Sequence, residues 1–208
     1  MEEKLSGKSC ERFTAELASP APVPGGGGVT ALLGALSAAL CAMAASITRA
    51  RAEDPAAGEA LADAAERAEV LRRRLISLID ADAEAFLPLS RAYGLPMDAP
   101  DRAETLRRLS LQASEVPLEM LRLCGDVAQL LEQLLTGASR LLLSDVGCAA
   151  AVCRAAVECA AMNVRVNTHT LRDDQQAREY ERETETLHGE LTRRADAVAN
   201  SVRESLMN

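Results

Sequence analysis

The chain has 208 residues, of which 48% are hydrophobic, 26% charged and only 2% aromatic, with no Trp and a net charge of −8. The length suits one domain, 1–208, with room for a core. The charge and the aromatic shortage count against nucleic acid as a partner, because phosphate backbones need a basic face and unstacked bases need aromatic platforms.

The apolar mass is Ala and Leu, with few β-branched residues and no alternating Val/Ile/Thr run, which predicts an all-α fold of tightly packed helices. The six cysteines (10, 41, 124, 148, 153 and 159) include no Cys-x-x-Cys pair, and His169 and His188 are not spaced with them. They are read as small buried hydrophobes, and no metal site is expected.

Residues 1–8 are expected to fray, and a short amphipathic segment follows around Cys10 to Ala18. Pro20, Pro22 and Pro24 then forbid helix, and Gly25, Gly26, Gly27 and Gly28 open the backbone to unusual dihedrals. Residues 29–48 carry no charge, which is long enough to span a bilayer. Much of that stretch is Ala, Gly, Ser and Thr, and about 28 mostly polar residues precede it. The expectation is therefore a soluble, cytoplasmic protein with no membrane partner, in which this helix is buried on all sides and ends near Arg51.

Asp54 as N-cap and Pro55 at the first helical position start a long helix. Leu61, Ala64, Ala68, Leu71, Leu75, Leu78, Asp82, Ala85 and Leu89 follow at alternating steps of three and four, one face held for about eight turns. Pro88 should kink or loosen its end, and Gly94-Leu95-Pro96 stops it. Pro100-Asp101 begins the next helix, kinked at Pro117 and fading near Thr136-Gly137-Ala138. Ser144-Asp145 caps a helix to about Leu171, and Asp173-Asp174 caps a last, highly charged one. The whole is a single-domain bundle of about five long helices, one of them the buried Ala/Gly-rich helix.

One residue breaks the apolar stripe. Asp82 has Leu78 a turn before it and Phe86 a turn after, while Asp80 and Glu84 should be solvated. A carboxylate on a core-facing stripe is costly unless it is paired or lines a cavity. Burial would raise its pKa, as at catalytic acids and bases, and the alternative is a structural Asp bridging helices. Asn163 and Asn167, a turn apart on one small-residue face, could read a heterocycle's edge or bridge helices. The glycine run meets a helix N-terminus, where free N–H groups favour an anion or polar carbonyl. Arg49 and Arg51 close the other end of that helix, either complementing its dipole or capturing carboxylates.

Several stretches resemble, in order, the cyclodeaminase/cyclohydrolase family of folate enzymes. They are Phe13-x3-Leu17-Ala18-Ser19, Pro22-x-Pro24 with the four glycines, and Ala31-x2-Gly34-Ala35-Leu36-x-Ala38-Ala39-Leu40-x2-Met43. Ile79-Asp80-Ala81-Asp82-Ala83-Glu84-Ala85-Phe86, Gly94-Leu95-Pro96, Val116-Pro117-Leu118, Ser144-Asp145 and Asn163-Val164-x-Val166-Asn167 complete the set. Two segments depart from the family's pattern. Ile47-Thr48-Arg49-Ala50-Arg51 lacks its glycine, and Gly137-Ala138 lacks its Asn.

The resemblance implies an all-helical homodimer with Asp82 as the catalytic residue. It implies a folate site bounded by Pro24, Gly25, Gly26, Gly27, Gly28, Arg49, Arg51, Ser144, Asp145, Asn163 and Asn167. The implied reaction is hydrolysis of 5,10-methenyltetrahydrofolate to 10-formyltetrahydrofolate, or closure of 5-formiminotetrahydrofolate with loss of ammonia; the rival to both, raised by the two departures, is a non-catalytic helical dimer that retains the fold. No cofactor beyond the folate is expected. A pterin would lie against aliphatic walls and Phe86 at most. With no transferase segment in the sequence, channelling within one chain is not expected, and hydrolysis is the favoured direction.

Overall fold

A computed structural model describes residues 3–137 and 140–207. Among them there are six α-helices and no strand: α1 (Cys10–Leu17), α2 (Gly26–Arg49), α3 (Pro55–Ala92), α4 (Arg102–Gly137), α5 (Leu143–Thr168) and α6 (Gln175–Met207). The five long helices of the sequence reading are α2 to α6. Ala138, where the family's Asn is missing, lies outside the described residues.

Local chemistry explains most boundaries. Asp54 accepts from the amides of Ala56 (3.3 Å) and Ala57 (3.2 Å), with Pro55 behind it. Ser9 caps α1 through Arg12 N at 3.2 Å, and Asp174 caps α6 through Ala177 N at 3.0 Å. The start of α5 differs from expectation. Leu142 is its N-cap, so Ser144 and Asp145 sit inside the first turn and do not cap it. α5 also stops at Thr168, three residues before the expected end. α3 continues through the exposed Pro88 to Ala92.

α2 packs against α3, α4 and α5, and α4 packs against α3, α5 and α6. Close approach depends on small residues. A Cβ on Gly34 would meet Leu75 Cδ2 at 3.0 Å and Cys124 Sγ at 3.6 Å. Ala31, Ala35, Ala38, Cys41, Ala44 and Ala45 of α2 are buried against Leu75, Leu78, Leu118 and Leu121.

Three sequence expectations change here. α2 is not buried on all sides: Leu36 is 48%, Met43 37% and Ile47 38% exposed. It is also the described helix long and apolar enough to cross a membrane, while its other faces are packed in the core. Cys10 and Cys148 are exposed, although Cys41, Cys124 and Cys153 are buried as expected. Finally, the N-terminal segment is tied down. Its 3-10 turn, Leu5–Gly7, is held by Asp80, which accepts from Ser6 N (3.3 Å) and Ser6 Oγ (2.5 Å). Asp80 is therefore a structural clamp, and only Glu84 is left exposed to solvent.

Candidate active site

The glycine turn and the stripe's odd carboxylate meet. Gly25 is the N-cap of α2, and the Val23–Pro24 peptide before it is cis. A Cβ on Gly27 would overlap the Asp82 carboxyl group, so only glycine lets α3 bring that side chain onto α2. The Gly28 N–H donates to Asp82. Gly28 itself is crowded by Pro24 Cβ, Phe13 Cζ and Ile79 Cγ2, at 3.5, 3.6 and 3.9 Å from an added Cβ.

Asn163 supplies the third wall. Its amide lies over Gly26, with Oδ1 3.3 Å from where a Cβ would stand. Nδ2 donates to Cys159 O (2.8 Å) and Thr30 Oγ1 (3.2 Å), and Thr30 in turn donates to Gly26 O (2.7 Å). These bonds hold the amide nitrogen in one orientation beside the turn. Thr30 was not singled out from the sequence. Its signal was a buried hydroxyl one turn inside an uncharged helix, easily read as a simple i−4 back-bond.

Asp82 is partly buried. Burial raises its pKa to about 6, opposed by the Gly28 N–H bond. Burial wins because a carboxylate loses more hydration than one amide returns. The result is a carboxyl group poised to exchange a proton near neutrality, beside helix N–H groups that favour negative charge. Among the described residues no group of three His, Cys, Asp or Glu is placed to hold a metal ion.

Not every candidate joins this cluster. Asn167 is buried, and its Nδ2 donates to Ala113 O at 2.9 Å. Ala113 lies four residues before Pro117, which has no N–H to give its carbonyl. Asn167 thus supplies the hydrogen bond that the proline removes, so of its two readings the structure shows helix bridging. Asn167→Ala is expected to cost about 1–3 kcal/mol, because a buried carbonyl loses its donor. Adding Pro117→Ala restores a helical donor and should recover most of the lost melting temperature. A double variant no more stable than Asn167→Ala would refute this pairing.

Arg49 and Arg51 are also elsewhere. α2 is about 35 Å long, and they stand at its far end from the glycines. Arg51 lines a groove of about 670 Å³ with Thr48, Leu61, Gln133 and Leu134. α5 runs antiparallel to α2, since Ser37 Oγ donates to Ala149 O (2.8 Å) and Asn163 meets Thr30. Ser144 and Asp145, at the start of α5, therefore belong to the same far end. Phe86 turns to a small separate cluster with Leu89, Ala92, Leu109 and Ala113. One chain thus gathers Pro24, Gly25, Gly26, Gly27, Gly28, Asp82 and Asn163, and leaves Arg49, Arg51, Ser144 and Asp145 apart.

A partly buried carboxyl group, an oriented amide and a helix N-terminus within an all-helical bundle define a site with the makings of acid–base chemistry. The sequence profile described as formiminotransferase-cyclodeaminase matches residues 9–186. The methenyltetrahydrofolate cyclohydrolase of Methylorubrum extorquens is 34% identical over 203 residues, 96% of this chain and 98% of that protein. The formimidoyltransferase-cyclodeaminase of Mus musculus is 30% identical over 177 residues, 83% of this chain but 33% of that protein. A solved structure of formiminotetrahydrofolate cyclodeaminase from Thermotoga maritima superposes with a TM-score of 0.83 at 26% identity, covering 96% of this chain and 99% of the other. The chain belongs to the formiminotransferase-cyclodeaminase family.

Proposed function

We propose that this protein is a methenyltetrahydrofolate cyclohydrolase, which converts 5,10-methenyltetrahydrofolate and water to 10-formyltetrahydrofolate. The observation that carries the reading is the Asp82 carboxyl group, packed on Gly27 and titrating near 6. The end-to-end match to a cyclohydrolase favours this direction over deamination. In this reading 1–208 acts as one cytoplasmic domain, as a homodimer, with no cofactor other than the folate.

The methenyl carbon lies between N5 and N10 and shares their positive charge. Asp82, as carboxylate, offsets that charge and takes a proton from the attacking water. The C–N5 bond then breaks as the added hydroxyl becomes the formyl carbonyl. Asp82 returns a proton to N5, and the second water proton leaves to solvent. The oriented Asn163 amide and the free N–H groups of Gly26 and Gly27 would hold the pterin's polar edge.

The second reading, cyclodeamination of 5-formiminotetrahydrofolate, is favoured by the near-complete superposition on the Thermotoga maritima enzyme. Asp82 would then carry the N10 proton to the departing amine. Purified protein assayed on both substrates separates the readings. Activity on methenyl- but not formiminotetrahydrofolate supports the first, the reverse supports the second, and neither activity overturns both.

A general base must be ionised. In the hydrolytic direction kcat/KM should therefore rise with pH and level off above about 6, where Asp82 is deprotonated in the free enzyme. The bound cation beside Asp82 favours its carboxylate, so the kcat profile should level off at lower pH. A pH–rate series that stays flat from pH 5 to 8 would contradict the base role.

A further inference from the structure

Asn163 can offer a ligand only one kind of hydrogen bond. A side-chain amide carries two donor hydrogens on Nδ2 and acceptor lone pairs on Oδ1. Nδ2 lies 2.8 Å from Cys159 O, a backbone carbonyl that can only accept, so the atom facing it must be the nitrogen. The second hydrogen goes to Thr30 Oγ1 at 3.2 Å. Thr30 is fully buried, and its one hydroxyl hydrogen is already given to Gly26 O at 2.7 Å. Towards Asn163 the hydroxyl is therefore an acceptor. Both Nδ2 hydrogens are used, and turning the amide over would set Oδ1 against two oxygens. Oδ1 itself accepts no hydrogen bond among the described residues, and it lies over Gly26 at the end of α2.

The neighbours of Oδ1 come in a fixed order. The first donor used inside α2 is Val29 N, to Gly25 O at 3.1 Å, and the Gly28 N–H goes to Asp82. The N–H groups of Gly26 and Gly27 thus point out of the helix end with no partner among the described residues. Asn163 stands over Gly26 and Asp82 over Gly27, in directions about 100° apart around the helix. Around this rim run a bare acceptor, two bare donors and a carboxyl group.

An acceptor beside donors is the complement of a lactam, –NH–C(=O)–. A tetrahydropterin has one lactam, N3–H with C4=O, and the next ring nitrogen beyond that carbonyl is N5. Its other donor–acceptor pair, the 2-amino group with N1, lies next to N8 instead. Only the lactam edge sets the N5 bond that breaks beside Asp82.

We propose that the site reads this lactam: Asn163 Oδ1 accepts from N3–H, the Gly26 and Gly27 N–H groups donate to the C4 carbonyl oxygen, and Thr30 is the positioning residue that keeps Asn163 an acceptor. That the ligand is a pterin reacting at N5 rests on the function proposed above. The carbonyl carbon is two bonds from N5, so the grip registers N5 on Asp82 without touching the reacting carbon. It is made alike in the bound substrate and in the transition state, which is uniform binding. It also rejects. A ring with an amino group at C4 and a bare N3 would set donor against donor and acceptor against acceptor.

The test compares tetrahydrofolate with its 4-amino analogue, which differs only at this edge. In calorimetric titration the wild-type protein should bind tetrahydrofolate about 10²-fold more tightly or better, because mismatched polar groups lose their partners. Thr30→Val has nearly the same shape but frees one Asn163 hydrogen. It should cut that preference about tenfold and raise KM about tenfold, with kcat within about twofold of wild type. Thr30→Ser restores the hydroxyl and should restore both values. Near-equal affinities in the wild type overturn the lactam reading and leave the reaction standing, and this arm needs no variant to fold. A Thr30→Val chain with unchanged preference and KM, or one that loses kcat alone, overturns the role of Thr30, as does a Thr30→Ser chain equally impaired. Lactam preference in a protein that turns over neither folate would overturn the reaction and leave the edge reading standing. Binding of neither compound overturns both.

Discussion

Asp82→Asn is expected to lower kcat by about 10³-fold or more while the protein stays folded. A positioned general base contributes about 10²–10⁴-fold, and here the same group also offsets the substrate's cation. Asn fills the same space beside Gly27 but neither takes a proton nor carries charge. The variant should also melt higher than wild type at pH 8. Asp82 titrates near 6 in the fold, against 3.8 when unburied, so its ionised form costs stability above about pH 6. That cost is on the order of 3 kcal/mol at most, at about 1.4 kcal/mol per unit. It is relieved as pH falls through 6 and is gone below the unfolded value. The melting-temperature gap should therefore be widest at pH 8 and close toward pH 4. A variant with wild-type turnover, or a gap that widens toward acid, would refute this account of Asp82.

Gly27→Ala should be nearly as damaging, although it removes no chemical group. The new methyl group would occupy the space of the Asp82 carboxyl group, which must rotate away and lose the Gly28 N–H. Activity should fall about 10²-fold, since general-base catalysis depends on hydrogen-bond reach. Stability should fall by about 1–3 kcal/mol, the usual cost of overpacking. A cycle with Asp82→Ala identifies the cause. With the carboxylate gone the methyl has room, so the double variant should regain stability but not activity. Additive losses of stability would mean that the clash lies elsewhere.

Much of this site was legible as exceptions to pattern. Asp82 stood out because eight other positions of its stripe are apolar, and the structure places it where that anomaly pointed. The glycine run suggested an exposed helix N-terminus, but not what would press against it. That Gly27 is the one facing Asp82 depends on how α2 and α3 cross. Asn163 and Asn167 look alike in sequence, one turn apart on one face. They diverge because Asn167 lies beside the carbonyl orphaned by Pro117, and Asn163 beside the glycine turn. Asp80 looked solvent-bound, yet it clamps the N-terminal turn through a contact 74 residues away in sequence.

The sequence by itself determined the helices and most of their ends, because periodicity and capping act over a few residues. It also determined that one carboxylate would be out of place in the core. Only the tertiary structure decided which candidates share a site. Helices are rigid rods, so residues 23 positions apart on α2 stand about 35 Å apart however suggestive their chemistry. The same packing left one face of the most apolar helix uncovered. Burial on that face is a property of helices coming together, which no local pattern encodes.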